Sequence, residues 1–206
     1  MKCMVGLHTI DKGELLYDGR EFTSMDFKSK KAIRTEIGML FQNAALFDSM
    51  TVEENVAFPL QMFTNMTDNE IKDRVDFCLS RVHLVDAHNK FPSELSGGMR
   101  KRVGIARAIA MNPKYLFCDE PNSGLDPKTA VVIDNLIREI TLEFNTTTVV
   151  NTHDMNSVME IGDNVIFIHD GKKWWEGSNK EILHSDNKEL EQFLFASSFL
   201  QEMRKS

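Results

Sequence analysis

Apolar residues recur along the chain at two periods, and their alternation predicts an α/β protein. Val52, Val56 and Leu60 stand at helical spacing behind Thr51 and Glu54, a pair at capping-box spacing, so a helix should start at Thr51. Ile71, Val75 and Leu79 put an apolar stripe on a second helix over 68–81. Met99, Val103, Ala106 and Ala110 predict a third, which begins directly after Ser96-Gly97-Gly98. A long amphipathic helix follows Asp126, its cap, with Pro127 in its first turn. Between these lie strands over 37–42, "KYLFCDEP" and "TTTVVNTHD". The last two read as strands buried in a parallel sheet, the second ending at His153-Asp154. Consecutive helices between strands predict a helical lobe, residues 43–110 approximately, set into the α/β core.

The two ends read differently. "MKCMVGL" has the pattern of the end of a helix, and a strand over 14–17 should close at Asp18-Gly19. No capping residue precedes Met1, so we expect that an N-terminal piece is absent. Past the sheet, "MNSVMEIG" predicts a short helix ended by Gly162, and "NVIFIHDGKKWWEG" a hairpin turning at Asp170-Gly171. The tail over 180–206 reads as helical.

Composition narrows the class. A chain of 206 residues with 42% apolar residues suits one domain with a packed interior. Its formal charge of -7 argues against loose nucleic-acid binding, which needs a basic surface. The three cysteines are far apart and form no C-x-x-C pair, which suits a reducing compartment. No apolar run approaches the roughly 20 residues that span a bilayer, so a membrane role must come through a partner.

Candidate chemistry gathers where strands end. Asp119 and Glu120 close a buried strand at the position where open α/β sheets bind ligands, and strand alternation should point the two acids differently. One can hold Mg²⁺ through water while the other orients or deprotonates an attacking water. Alone, an Asp-Glu pair more often marks a strand ending in solvated acids. His153 and Gln42 also follow strands, and each alone is a weak signal. Arg100, Lys101, Arg102 and Arg107 read mostly as a solvated helix face. Ser96-Gly97-Gly98 exposes a helix N-terminus, which attracts phosphate. Yet the phosphate loop Gly-x-x-x-x-Gly-Lys-Ser/Thr occurs nowhere in the sequence.

The ordered set is far more specific than any member. Gln42, Leu-Ser-Gly-Gly at 95–98, Asp119-Glu120-Pro121, Ser-Gly-Leu-Asp at 123–126 and His153 together resemble the nucleotide-binding subunit of ATP-binding-cassette transporters over nearly the whole chain. The resemblance implies a P-loop NTPase-like core, a mostly parallel sheet with an inserted helical subdomain and an incomplete antiparallel N-terminal part. It makes Gln42 the Q-loop glutamine, which with Asp119 contacts Mg²⁺. Ser96, Gly97 and Gly98 become the signature that meets ATP, and Asp119 the Walker B aspartate. Glu120 becomes the catalytic base, Asp126 the D-loop acid and His153 the switch histidine.

It also implies that the chain starts a few residues after the Walker A lysine, leaving it without the lysine, hydroxyl and N–H cradle that hold ATP. The implied partners are a second ATPase subunit, as a homodimer, and an integral membrane permease, at the cytoplasmic face of the inner membrane. Met99 stands where the signature usually has Gln, and "LSGGMRKRVGIARAIA" is similar to the ATPases that serve Mce-type lipid-binding subunits, which implies phospholipid or other lipid transport. Two alternatives accompany this expectation: an inactive remnant acting as an interaction module, and a soluble non-transport ATPase of the same family.

Overall fold

The structure, a computed structural model, describes residues 1–194. One unit spans Met1–Asn151 and a second begins at Thr152. The first opens with a two-residue turn joining β1 (Leu16–Tyr17) to β2 (Arg20–Glu21). Asp18 and Gly19 hold positive φ, 49° and 75°, the backbone twist that suits an antiparallel hairpin. The expected strand over 14–17 is shorter than its pattern, because Leu15 N–H leaves the ladder and donates to the Thr23 hydroxyl at 3.0 Å. Residues 1–7, expected as the end of a helix, form successive turns instead. Met4 N–H donates to Met1 O at 2.8 Å and Leu7 N–H to Lys2 O at 2.9 Å. Gly6, at φ 75°, takes the backbone out of the right-handed region.

Helix α1 (Phe27–Thr35) follows, capped by Asp26, whose carboxylate accepts from Ser29 N–H at 2.7 Å. Ile33 is its one buried residue. It therefore carries no apolar stripe, and periodicity gives no sign of it. The chain then forms β3 (Ile37–Leu40), α2 (Val52–Phe63), α3 (Asp68–Arg81), α4 (Gly97–Ile109), β4 (Tyr115–Asp119), α5 (Pro127–Glu143) and β5 (Thr147–Asn151).

The three strands are parallel, in the order β3-β4-β5. Leu116, Phe117 and Cys118 of central β4 are buried, as its apolar run requires. By contrast β5 has exposed ends and a half-buried middle. It lies at the edge of the described sheet and stops at Asn151, so it is neither buried throughout nor as long as expected.

Helices α2 and α3 both begin at capping boxes, Thr51 with Glu54 and Thr67 with Glu70. Their stripes bury Val52, Val56 and Leu60, and Val75 and Leu79. Both pack on α4, which also packs on β3. Gly38 permits that approach, since a Cβ there would stand 2.3 Å from Ala108 O. Helices α2 and α3 are thus joined to the sheet through α4.

The second unit contains α6 (Met155–Ile161), β6 (Asn164–His169), β7 (Lys172–Ser178) and α7 (Lys188–Leu194). Gly162 ends α6, and the hairpin turns at Asp170-Gly171, both at positive φ. Ile182, Leu190 and Leu194 form a small core with Phe167 and Trp175 packed against it. The expected helical tail is interrupted. A single 3₁₀ turn over Ile182–His184 precedes α7, and Asn187 Oδ1 starts that helix by accepting from Leu190 N–H at 2.9 Å. The remainder of the expected tail lies outside the described residues.

Candidate functional site

Parallel strands end on one edge of their sheet, where the backbone turns away and polar groups collect. Gln42 sits two residues past β3, in an exposed turn rather than in the strand as expected. Its Nε2 donates to Ser123 Oγ at 3.5 Å, joining the loop after β3 to the loop after β4. Asp119 closes β4, and its Oδ1 accepts from Asn151 Nδ2 at 2.8 Å. Glu120 follows at φ 48°, a left-handed conformation uncommon outside glycine. Its N–H donates to Asn151 O at 2.8 Å, and its carbonyl accepts from Ser123 N–H at 3.2 Å. This turn, and not the expected strand alternation, separates the backbone settings of the two acids.

The second component is the start of α4. Exposed Ser96 caps it, with Oγ accepting from Met99 N–H at 3.2 Å, and no acid occupies its first turn. The positive helix end therefore faces outward without an internal counter-charge. A Cβ on Gly98 would stand 2.6 Å from Thr129 Cγ2, and one on Gly97 3.4 Å from Leu125 Cδ2. Gly97 and Gly98 thus lie against the segment that begins α5. Asp126 caps α5, with its carboxylate taking the Thr129 hydroxyl at 2.6 Å and the Thr129 N–H at 3.0 Å. Those two bonds, the hydroxyl's first, hold the Asp126 carboxyl below its usual range.

Arg100 is exposed, as the expected solvated face requires, but Lys101 and Arg107 are drawn inward. Lys101 is 4% exposed; its Nζ donates to Gln42 O and, at 3.0 Å, to Glu120 O. Burial pushes its pKa down, while the charges of Glu120, Cys118 and Asp119 oppose that shift. Arg107 donates to Ala45 O at 2.8 Å and Ala44 O at 2.6 Å. Arg100 turns back to Leu95 O at 2.6 Å. Periodicity misses these roles because it assigns a charged residue to solvent, whereas a lysine held between two backbone carbonyls can be buried. Periodicity is equally silent on Asn55, fully buried in α2. Its Oδ1 accepts from Phe47 N–H at 2.8 Å, and its Nδ2 donates to Phe47 O, Met50 O and Thr51 O.

Gln42, Ser123, Asp119, Glu120 and Lys101 form one connected set in the first unit, while Gly97 and Gly98 lie against Leu125 and Thr129, on either side of Asp126 in sequence. His153 belongs to the second unit, exposed in the loop before α6, whose cap is Asp154. Among the described residues no group of three or more His, Cys, Asp or Glu could hold a metal. One aligned carboxylate with an amide nearby suits Mg²⁺, an ion that keeps waters and takes phosphate oxygens.

The family model for the ABC transporter matches residues 1–123, and the chain belongs to that family. It is 38% identical over 194 residues to the probable ribonucleotide transport ATP-binding protein mkl of Mycobacterium leprae, an alignment covering 94% of this chain and 56% of that protein. It is 44% identical over 165 residues to the methionine import ATP-binding protein MetN 2 of Bacillus cereus, covering 80% of this chain and 48% of that one. The chain thus spans about half the length of these curated relatives. Among solved structures, the dimeric ATP-binding cassette MJ0796, in a post-hydrolysis state bound to ADP and Pi, matches with a TM-score of 0.78 and 33% identity. That match covers 86% of this chain and 78% of that one. The fold is that of an ABC ATPase cassette.

Proposed function

We propose that this chain is part of an energy-coupling ATPase subunit of an ABC transporter, peripheral to the cytoplasmic face of the inner membrane and paired with a second ATPase subunit and a permease. The single observation that carries this reading is the Gln42–Ser123–Glu120–Lys101 set at the strand ends, alongside a signature helix whose glycines lie against the segment capped by Asp126. Asp119 would hold Mg²⁺ through water, aligned by Asn151. Glu120 would orient and deprotonate the attacking water, with Gln42 and His153 contacting the ion or phosphate region. Ser96, Gly97 and Gly98 would meet the phosphates of ATP held by the facing subunit, so closure completes the site. No helix among the described residues is long and apolar enough to cross a membrane, which is consistent with a permease supplying the spans.

The test is Mg-ATP-dependent dimerisation of the Glu120→Gln protein, expressed from its whole reading frame and followed by size-exclusion light scattering. A nucleotide-dependent dimer supports the assignment. An inert monomer at saturating Mg-ATP defeats it, and leaves the chain an interaction module.

For the cargo we propose a lipid, with an Mce-type lipid-binding subunit as third partner. The support is Met99 at the end of the signature, together with the residues that follow it. The names of the relatives favour a second reading, uptake of a small metabolite. ATPase stimulation in the reconstituted permease complex separates the two: phospholipid vesicles should raise turnover, and stimulation by methionine or a ribonucleotide instead would displace the lipid.

A further inference from the structure

We infer that Lys101 is a positioning residue that ties the carbonyl of Gln42 to the carbonyl of Glu120, so that the loop after β3 and the turn after β4 hold one relative position. The two carbonyls belong to separate segments and converge on one ammonium group, which is 4% exposed. A lysine suits this place because its flexible stem carries three donors that can serve acceptors in different directions. Burying that charge would be costly without both acceptors.

The rest of α4 reinforces the same loop. Three residues on, Gly104 admits the loop, since a Cβ there would stand 2.7 Å from Leu40 Cδ1 and 3.1 Å from Ala44 Cβ. Three further on, Arg107 holds the carbonyls of Ala44 and Ala45, both at positive φ, 60° and 47°. Lys101, Gly104 and Arg107 share one helix face. Of the three, Lys101 alone also reaches the turn after β4. There the left-handed Glu120 backbone, at φ 48°, persists only because its surroundings hold it; Lys101 Nζ and Ser123 N–H both close on its carbonyl.

A displacement of Gln42 would therefore reach the backbone of Glu120 through α4 without passing through nucleotide. For its bearing on hydrolysis this inference rests on the reading of Glu120 as the base, but its test uses no nucleotide, so failure of one is distinguishable from failure of the other.

The test is amide hydrogen exchange, read over residues 41–47 and 119–125, for the native protein, Lys101→Met and Lys101→Arg. Lys101→Met should exchange roughly tenfold faster in both segments, the factor expected when one charge-assisted hydrogen bond is lost. Lys101→Arg, which restores charge and several donors, should return both towards native protection. Acceleration in one segment only, or no rescue by Arg, overturns the inference. A second measurement needs no variant, should Lys101→Met fail to fold. In the native chain the Lys101 ammonium protons should exchange slowly enough to appear in a ¹H–¹⁵N spectrum, with contacts to Gln42 and Glu120. A Lys101 ammonium that exchanges like those of surface lysines overturns it equally.

Discussion

Gly98 and Thr129 approach so closely that a Cβ on Gly98 would lie 2.6 Å from Thr129 Cγ2. The start of α4 is thus fitted to the start of α5 by the lack of one side chain. Gly98→Ala should destabilise the fold by about 1–3 kcal/mol, the cost of overpacking a closed contact, despite alanine's better helix propensity. Thr129→Ser keeps the hydroxyl that Asp126 accepts and removes the opposing methyl, so the double variant should recover most of the loss. Urea titrations of the four proteins form the cycle, and additive effects would show that the two residues do not meet.

Arg74 closes the other end of α4. Its Nε and Nη2 donate to Ala110 O and Ile109 O, both at 2.8 Å, and its guanidinium lies over the Phe77 ring at 5.0 Å. Two carbonyls at a helix C-terminus thereby gain a cation, the favourable sense for the helix dipole. Arg74→Met should keep the stem's packing and lose about 2 kcal/mol through the two charged hydrogen bonds. The urea midpoint measures this, and a change below about 0.5 kcal/mol would mean that water replaces the guanidinium.

Asn55 fixes the chain between Phe47 and Thr51 from inside α2. Asn55→Asp keeps the acceptor for Phe47 N–H and removes the donors for three carbonyls, so it should cost about 2–4 kcal/mol through unsatisfied buried groups. Proteolysis should then cut within 43–51 before any other part of the first unit. Unchanged protection of that segment would contradict the role assigned to the amide.

Acid should weaken one defined site. Hydrogen bonds from Arg20 at 2.8 and 2.7 Å, with Lys114 at 3.3 Å, lower Glu36 from 4.5 to about 2. A carboxyl lowered on folding contributes stability that is present above its unfolded pKa and lost as pH falls towards its folded one. The loss should therefore fall between about pH 4.5 and 2. Arg20 and Glu36 are 37% and 23% exposed, so solvent screening limits the effect to about 1 kcal/mol. Glu36→Gln should flatten that part of the stability profile, and an unaltered profile would show that the pair contributes nothing.

Much of this organisation is legible in residue order. Thr51 with Glu54, Asp126 with Pro127 and Asp170-Gly171 mark their helix starts and turn because capping and left-handed backbone need particular side chains within a few residues. The unbroken apolar run of β4 announces its central place. Helix α1 escapes because one buried isoleucine makes no stripe. The edge position of β5 escapes because its apolar run cannot say which strands lie beside it. The candidate site residues Gln42, Ser96, Asp119, Glu120 and Asp126 are visible as motifs. The contacts of Gln42, Asp119 and Glu120 with Lys101 and Asn151 depend on segments far apart in sequence, and the left-handed turn at Glu120 is set by those contacts rather than by its own residue type.

Glu120 carries the central assignment, and ATP turnover measures it most directly. The protein should be assayed in complex with the proposed permease, beside Glu120→Gln and Glu120→Asp. Removing a general base slows a reaction by about 10²–10⁴-fold, so Glu120→Gln should lose at least a hundredfold in kcat while still binding Mg-ATP, and Glu120→Asp should retain part of the rate. Turnover by Glu120→Gln at the native rate would contradict the account.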